Sequence, residues 1–120
     1  MNSTLAARYS EGMELYNVSK VGATGEAYQE FVRTQYISAG VYRLAAGAVD
    51  SQTPHSEDEI YFVVSGHGRF GAAGRDTEVS PGDVLFVPAR EAHRFHDIDE
   101  DLELLVVFGP AEGTLRSSTT

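Results

Sequence analysis

The stretch that decides the fold is Pro54-His55-Ser56-Glu57-Asp58-Glu59-Ile60-Tyr61-Phe62-Val63-Val64-Ser65-Gly66-His67-Gly68. An apolar run begins directly after three acids, and in it Glu59, Tyr61 and Val63 alternate with Ile60 and Phe62, the period of two that a strand imposes. Glu57 and Asp58 read as a solvated turn, whereas Glu59 opens the strand on the same side as Tyr61 and Val63. A carboxylate on that side needs a partner, because an isolated buried charge is costly. His55 stands before Glu59 with three residues between them.

The same rhythm extends outward from this stretch. Short apolar runs cut by turn signals predict strands at Tyr28 to Gln35, Val41 to Ala45, Ile60 to Val64, Arg69 to Ala72, Thr77 to Val79, Val84 to Val87, His93 to Asp97 and Leu102 to Phe108. Ser65 to Gly68, Ala73 to Asp76 and Ser80 to Asp83 supply glycine for tight turns, and Pro81 presets a corner. Asp97 to Asp101 reads as an exposed acidic loop. This is an all-β pattern, a sandwich or small barrel. Residues 28–110 form the barrel in this reading, and 111–120 a C-terminal tail that frays from Arg116 to Thr120. Residues 1–27 form an N-terminal segment with a candidate strand at Leu15 to Val18 and a loop from Gly22 to Gly25.

The whole chain has 120 residues, enough for one domain with one core. With no cysteine, disulfides, thiolate zinc sites and cysteine nucleophiles are excluded, so any metal must use His, Asp or Glu. Eighteen acidic against nine basic residues give a net charge of -9, which disfavours nucleic acid as a partner. The longest unbroken apolar run, Leu104 to Phe108, is too short to cross a bilayer, and no basic-then-apolar leader opens the chain; the expectation is a cytoplasmic protein that does not bind membranes. Serine-elbow, phosphate-loop and dinucleotide motifs are missing.

Of the four histidines, His67 lies between two glycines in a predicted hairpin turn and reads as solvent-exposed. His96 is out of phase with His93 and falls on the outer face, while Phe95 and Asp97 share the side of His93. His93 itself follows the turn from Pro88 to Ala92. His55, Glu59 and His93 together make two imidazoles and one carboxylate from neighbouring strands, which is either a ligand set for a divalent transition metal or an ordinary polar network. Tyr61 and Phe95 are the candidate substrate contacts, with core packing as the alternative role.

The arrangement around these residues resembles the two signature motifs of the cupin superfamily. Gly47, Thr53, His55, Glu59 and Gly66 fall on the positions of the first motif, with Thr53 where a histidine is usual. Gly82, Pro88, Arg90, His93 and Asp97 fall on the second, with Arg90 in place of glycine and Asp97 in place of asparagine. A spacer of fifteen residues, His67 to Pro81, separates the two, and the resemblance covers Tyr28 to Phe108. It implies a double-stranded β-helix, the jelly-roll barrel, with a metal bound inside its mouth. Carried over by position, the ligands are His55, Glu59 and His93. The missing histidine leaves a two-histidine, one-carboxylate set with open positions, or a site that borrows Gln52 or Glu57.

Such a ligand set implies one divalent transition metal, with Fe, Mn, Ni and Zn indistinguishable. The function read from it is dioxygenase-type oxidation of a small organic molecule. The alternatives are a non-catalytic small-molecule-binding module with a structural or absent metal, and a metal-dependent isomerase or lyase without redox chemistry. The family resemblance also implies a homodimer, formed through N-terminal strands that protect an exposed sheet edge.

Overall fold

A computed structural model describes residues 12–51 and 53–116. Gln52 and residues 117–120, most of the predicted frayed end, lie outside the described residues. Among the described residues one short helix, α1 (Val18–Gly22), precedes six strands: β1 (Tyr28–Arg33), β2 (Ser38–Leu44), β3 (Asp58–Ala72), β4 (Arg75–Val79), β5 (Val84–Val87) and β6 (His93–Gly109). All pairings are antiparallel, in the order β1-β2-β6-β3-β4 with β5 on β3. The all-β expectation holds.

The sheet cannot be flat. Glu59 pairs with Phe108, and Ala72 pairs with His93 at the far end of the same β3–β6 ladder. Thirteen residues of extended chain span roughly 43 Å, yet the side chains of His93 and Glu59 meet at 3.2 Å. The ladder therefore curls back on itself. The bend is concentrated where the β3–β6 register shifts between Val63 and Arg69, as bulges permit. Gly66 sits in that irregular stretch with φ 96, and a Cβ there would run into the Asp101 carbonyl.

Several sequence expectations are corrected by this long bent ladder. Ile60 to Val64 and Arg69 to Ala72 are one strand, because Ser65 to Gly68 bulges without turning. His93 to Asp97 and Leu102 to Phe108 are likewise one strand, and the acids between them lie on it and not in a loop. They are held by outward contacts: Asp101 accepts the Ala46 N–H at 2.8 Å, and Asp99 meets His67 at 2.6 Å. The candidate strand at Leu15 to Val18 is absent. Instead Asn17 caps α1, its side-chain oxygen accepting the Lys20 N–H at 3.2 Å. The Ala73-Gly74 corner is a true two-residue hairpin, with φ 53 and 74 at the two positions.

Inside the curl, Leu44, Tyr61, Val63, Phe70, Val79, Val87, Phe95, Ile98, Leu102, Leu104, Val106 and Phe108 form one core. Alternation along β3 behaves as read, with Glu59, Tyr61 and Val63 inward and Ile60 and Phe62 outward. Along β6 it is broken. Asp97 adopts φ 47, so Ile98 takes the inward place and Asp97 is exposed. The expectation that Asp97 shares the pocket side of His93 fails at that residue, because one left-handed residue reverses the parity.

Candidate metal centre

Three elements converge at the mouth of the curl. Glu59 enters from the start of β3, His93 from the start of β6, and His55 from the segment before β3. That segment is pinned to the β5–β6 turn, since the Arg90 N–H donates to the His55 carbonyl at 2.7 Å. Arg90 holds φ 68 to do so. A left-handed backbone is the reason glycine suits this position, and Arg90 occupies it at a conformational cost. Asp97, at the other departure from the motif, is also left-handed, a conformation aspartate shares with asparagine.

One ligand-type atom from each of His55, Glu59 and His93 lies within 4.8 Å of the others. The His93 Nδ1 sits 2.8 Å from the Glu91 carbonyl. A carbonyl only accepts, so Nδ1 carries a proton and Nε2 of the neutral ring offers its lone pair inward. The Tyr61 hydroxyl reaches the same Nε2 at 3.0 Å, and Glu59 Oε1 lies 3.2 Å from it. Glu59 and His93 side chains are each 1 % exposed. Burial drives the His93 pKa down, but the Glu59 carboxylate and the Glu91 carbonyl outweigh it, and the net shift is upward.

The Glu59 carboxylate carries the fit to a cation. Among the described residues neither of its oxygens has a hydrogen-bond donor, although both are buried. The 3.2 Å approach to His93 is a charge contact without hydrogen-bond alignment. Two buried oxygens facing the lone pair of an imidazole Nε2 whose one donor among the described residues is the Tyr61 hydroxyl are mutually repulsive unless something positive lies between them. Two imidazoles and a carboxylate suit a divalent first-row ion in that place.

Two of the three, His55 and Glu59, line a cavity of about 190 Å³ together with Tyr28, Tyr42, Tyr61, Val106, Phe108 and Glu112. Tyr61 is thus both a wall of the cavity and a hydrogen-bond partner of His93. Phe95 is not beside it at the cavity: fully buried, it packs edge-on behind Tyr61 at 4.9 Å and against Phe70 at 4.7 Å. Core packing is its role. Thr53 is exposed and borders a neighbouring groove with Arg90 and Arg116.

Glu57 does not complete the cluster. It is 1 % exposed, and its carboxylate accepts from the Gly113 N–H at 2.7 Å, the Leu115 N–H at 2.8 Å and the Ser56 hydroxyl at 2.6 Å. Burial pushes its pKa up, but these donors prevail and the net shift is downward. The expected solvated turn residue is instead an internal anchor for residues 111–116, with Ala111 buried beneath them. That anchoring delivers Glu112 to the cavity, a residue the sequence reading passed over. Its Oε2 lies 3.4 Å from His55 Nδ1. Burial raises its pKa, with the charges of Glu30 and Glu59 adding to the rise and His55 opposing it. The only sequence signal for Glu112 was an acid soon after the last apolar run.

His67 and His96 stand apart from the centre, on the outer face. His67 is bracketed by Asp99 at 2.6 Å and Glu78 at 2.9 Å, and His96 by Asp76 at 2.5 Å and Asp97 at 2.7 Å. The outward placement of His96 agrees with its phase. His67 lies within β3, paired and about one-third exposed, where a freely solvated turn was expected.

A family model for the Cupin domain matches residues 40–108. The chain belongs to the cupin superfamily. This cupin is 50 % identical over 90 residues to an uncharacterized protein of Streptomyces coelicolor, covering 75 % of this chain and 86 % of that one. It is 36 % identical over 58 residues to acireductone dioxygenase of Bacillus anthracis, covering 44 % of this chain and spanning only 34 % of that enzyme. Its fold superposes with a TM-score of 0.70 on a double-stranded β-helix protein of Klebsiella pneumoniae, at 17 % identity and covering 82 % and 90 % of the two chains. The architecture is the double-stranded β-helix. No helix among the described residues is long and apolar enough to cross a membrane.

Proposed function

We propose that this cupin is a metal-dependent enzyme that oxidises a small organic molecule in the manner of a dioxygenase, with His55, Glu59 and His93 as the metal ligands. The observation that carries the reading is the donor-less, buried carboxylate of Glu59 facing two imidazoles beside a cavity. The partial likeness to acireductone dioxygenase supports the oxygen-using chemistry. A divalent ion bound there supplies Lewis acidity and, if it is iron, redox chemistry with dioxygen. The chain's own groups do the rest. His93 is oriented by the Glu91 carbonyl, Phe108 packs edge-on against the His55 ring at 4.7 Å, and the apolar walls Val106 and Phe108 limit water. Glu112, its pKa raised chiefly by burial, stands at the cavity as a carboxyl that holds a proton more readily than a solvent-exposed glutamate.

The rival reading, a binding module without turnover, draws support from Thr53, which leaves three ligand-type residues in the cluster. Elemental analysis of untagged protein, followed by oxygen uptake with added Fe(II) across a panel of small phenols and carboxylic acids, separates the two. Bound metal lost in His93→Ala, with oxygen consumption in the wild type, supports the enzyme. Metal content near zero and unchanged by that substitution refutes it.

For assembly we propose a homodimer. Ile60, Phe62, Val84 and Phe86 are exposed and neighbour one another across the β3–β5 ladder, where Ile60 pairs with Phe86 and Phe62 with Val84. An apolar patch of this kind is self-complementary across a two-fold axis. Sedimentation of wild type and Phe86→Glu tests it: a dimer that becomes monomeric is the expected outcome, and a wild-type monomer overturns the proposal.

A further inference from the structure

Three tyrosines line the cavity; the Tyr61 hydroxyl is engaged by His93, and the other two differ in one respect. The Tyr42 hydroxyl donates to Asp50 Oδ1 at 2.7 Å, and Asp50 is fixed in turn by the Phe95 N–H at 2.9 Å. The Tyr28 hydroxyl is buried and has no hydrogen-bond partner among the described residues. It lines the same cavity as Glu59 and Glu112, yet it bonds to neither carboxylate. The ring is held in place by close packing. Gly40 lies beneath it, and a Cβ there would collide with the phenol; the Tyr42 ring meets it edge-on at 6.3 Å. An ordered, buried donor without an acceptor is costly to a fold, and such groups in native structures call for an explanation.

We propose that Tyr28 is a positioning residue whose hydroxyl donates a hydrogen bond to an oxygen acceptor on the small molecule held at the His55, Glu59 and His93 centre. The inference deepens the metal-centre reading and rests on it. It also narrows the ligand class. The cavity of about 190 Å³ holds roughly six water volumes, so the ligand portion inside it is a compact carbonyl-, carboxylate- or enolate-bearing group. Nitrogen ligands whose outer edge offers only N–H gain nothing from Tyr28. Burial and the negative charges of Glu112, Glu30 and Glu59 raise the phenol's pKa, which keeps the hydroxyl a donor throughout the working range.

The test compares wild type with Tyr28→Phe, which keeps the ring and its packing. Three measurements are made on the full chain: thermal unfolding of the metal-free protein, Co(II) binding followed by its visible spectrum, and titration of the Co(II) protein with oxalate or with imidazole. Oxalate carries acceptor oxygens beyond those that reach the metal, and bound imidazole presents only N–H. Tyr28→Phe is expected to unfold at the same or a higher temperature and to bind Co(II) and imidazole as wild type does. Its oxalate affinity should fall about tenfold or more, equivalent to about 1.4 kcal/mol or more. Equal oxalate affinity in the two proteins, wild-type Co(II) protein that ignores oxalate, or a metal-free variant that unfolds several degrees lower overturns the role of Tyr28 while leaving the metal centre standing. Failure of the wild type to take up Co(II) overturns the metal centre and this inference together.

Discussion

Replacing Glu59 by glutamine exposes the physical tension on which the metal centre rests. The comparison is made in the chelated protein in alkaline solution, above the raised folded pKa of His93, where its imidazole is neutral. Its Nδ1 proton is committed to the Glu91 carbonyl. Nε2 then presents a lone pair 3.2 Å from a carboxylate whose two oxygens have no donor. Each unsatisfied buried polar atom costs about 1–3 kcal/mol. The glutamine removes the charge and brings an N–H₂ that can share Nε2 with the Tyr61 hydroxyl, so a gain of about 2 kcal/mol is the central expectation. For a chain of 120 residues that is a rise of roughly 6–12 °C in Tm. Metal reverses the order. A divalent ion at a thousand times its Kd stabilises the wild type by about 4 kcal/mol, whereas Glu59→Gln loses the anionic ligand and gains little. Differential scanning fluorimetry with chelator and then with excess Co(II) should therefore show the two curves exchange places. A variant less stable than wild type under chelator at that pH, or equal protection of both proteins by Co(II), refutes the reasoning.

Two further outcomes follow from particular residues. Arg90→Gly should stabilise the protein by about 1 kcal/mol, since glycine takes the left-handed backbone at φ 68 without the penalty an L side chain meets there; urea denaturation measures it, and a loss of stability would show that the arginine side chain contributes more than its backbone costs. On the outer face, hydrogen bonds to Asp99 and Glu78 raise the His67 pKa, and those to Asp97 and Asp76 raise that of His96. A raised histidine pKa gives stability that is full below the unfolded value near 6.5 and is lost as pH climbs through the folded value. The pKa values of Asp76, held down by Arg69 and His96, and of Asp99, held down by His67, are lowered, so their share is lost as pH falls through the folded aspartate values. Tm should therefore peak in mildly acidic solution and decline toward pH 8, and the double variant His67→Gln/His96→Gln should flatten the decline; an unchanged slope in the variant contradicts this account.

The sequence by itself determined what depends on local pattern. The period of two in Glu59 to Val63 set which side chains face inward, and that part of the reading survives intact. The spacing of Gly47, His55, Glu59 and Gly66 with Gly82, Pro88 and His93 marked the superfamily and the three residues that now converge. Tertiary structure decided what depends on backbone excursions and long-range closure. A single left-handed residue at Asp97 moved Ile98 to the interior, and bulges around Gly66 turned a predicted hairpin into the bend of one long strand. Glu57 could be identified as an anchor only once Gly113 and Leu115 supplied the donors, from a segment more than fifty residues away in the chain. Glu112 and Tyr28 reach the cavity for the same reason, since strand alternation specifies a face but only the curling of the whole sheet specifies which faces meet.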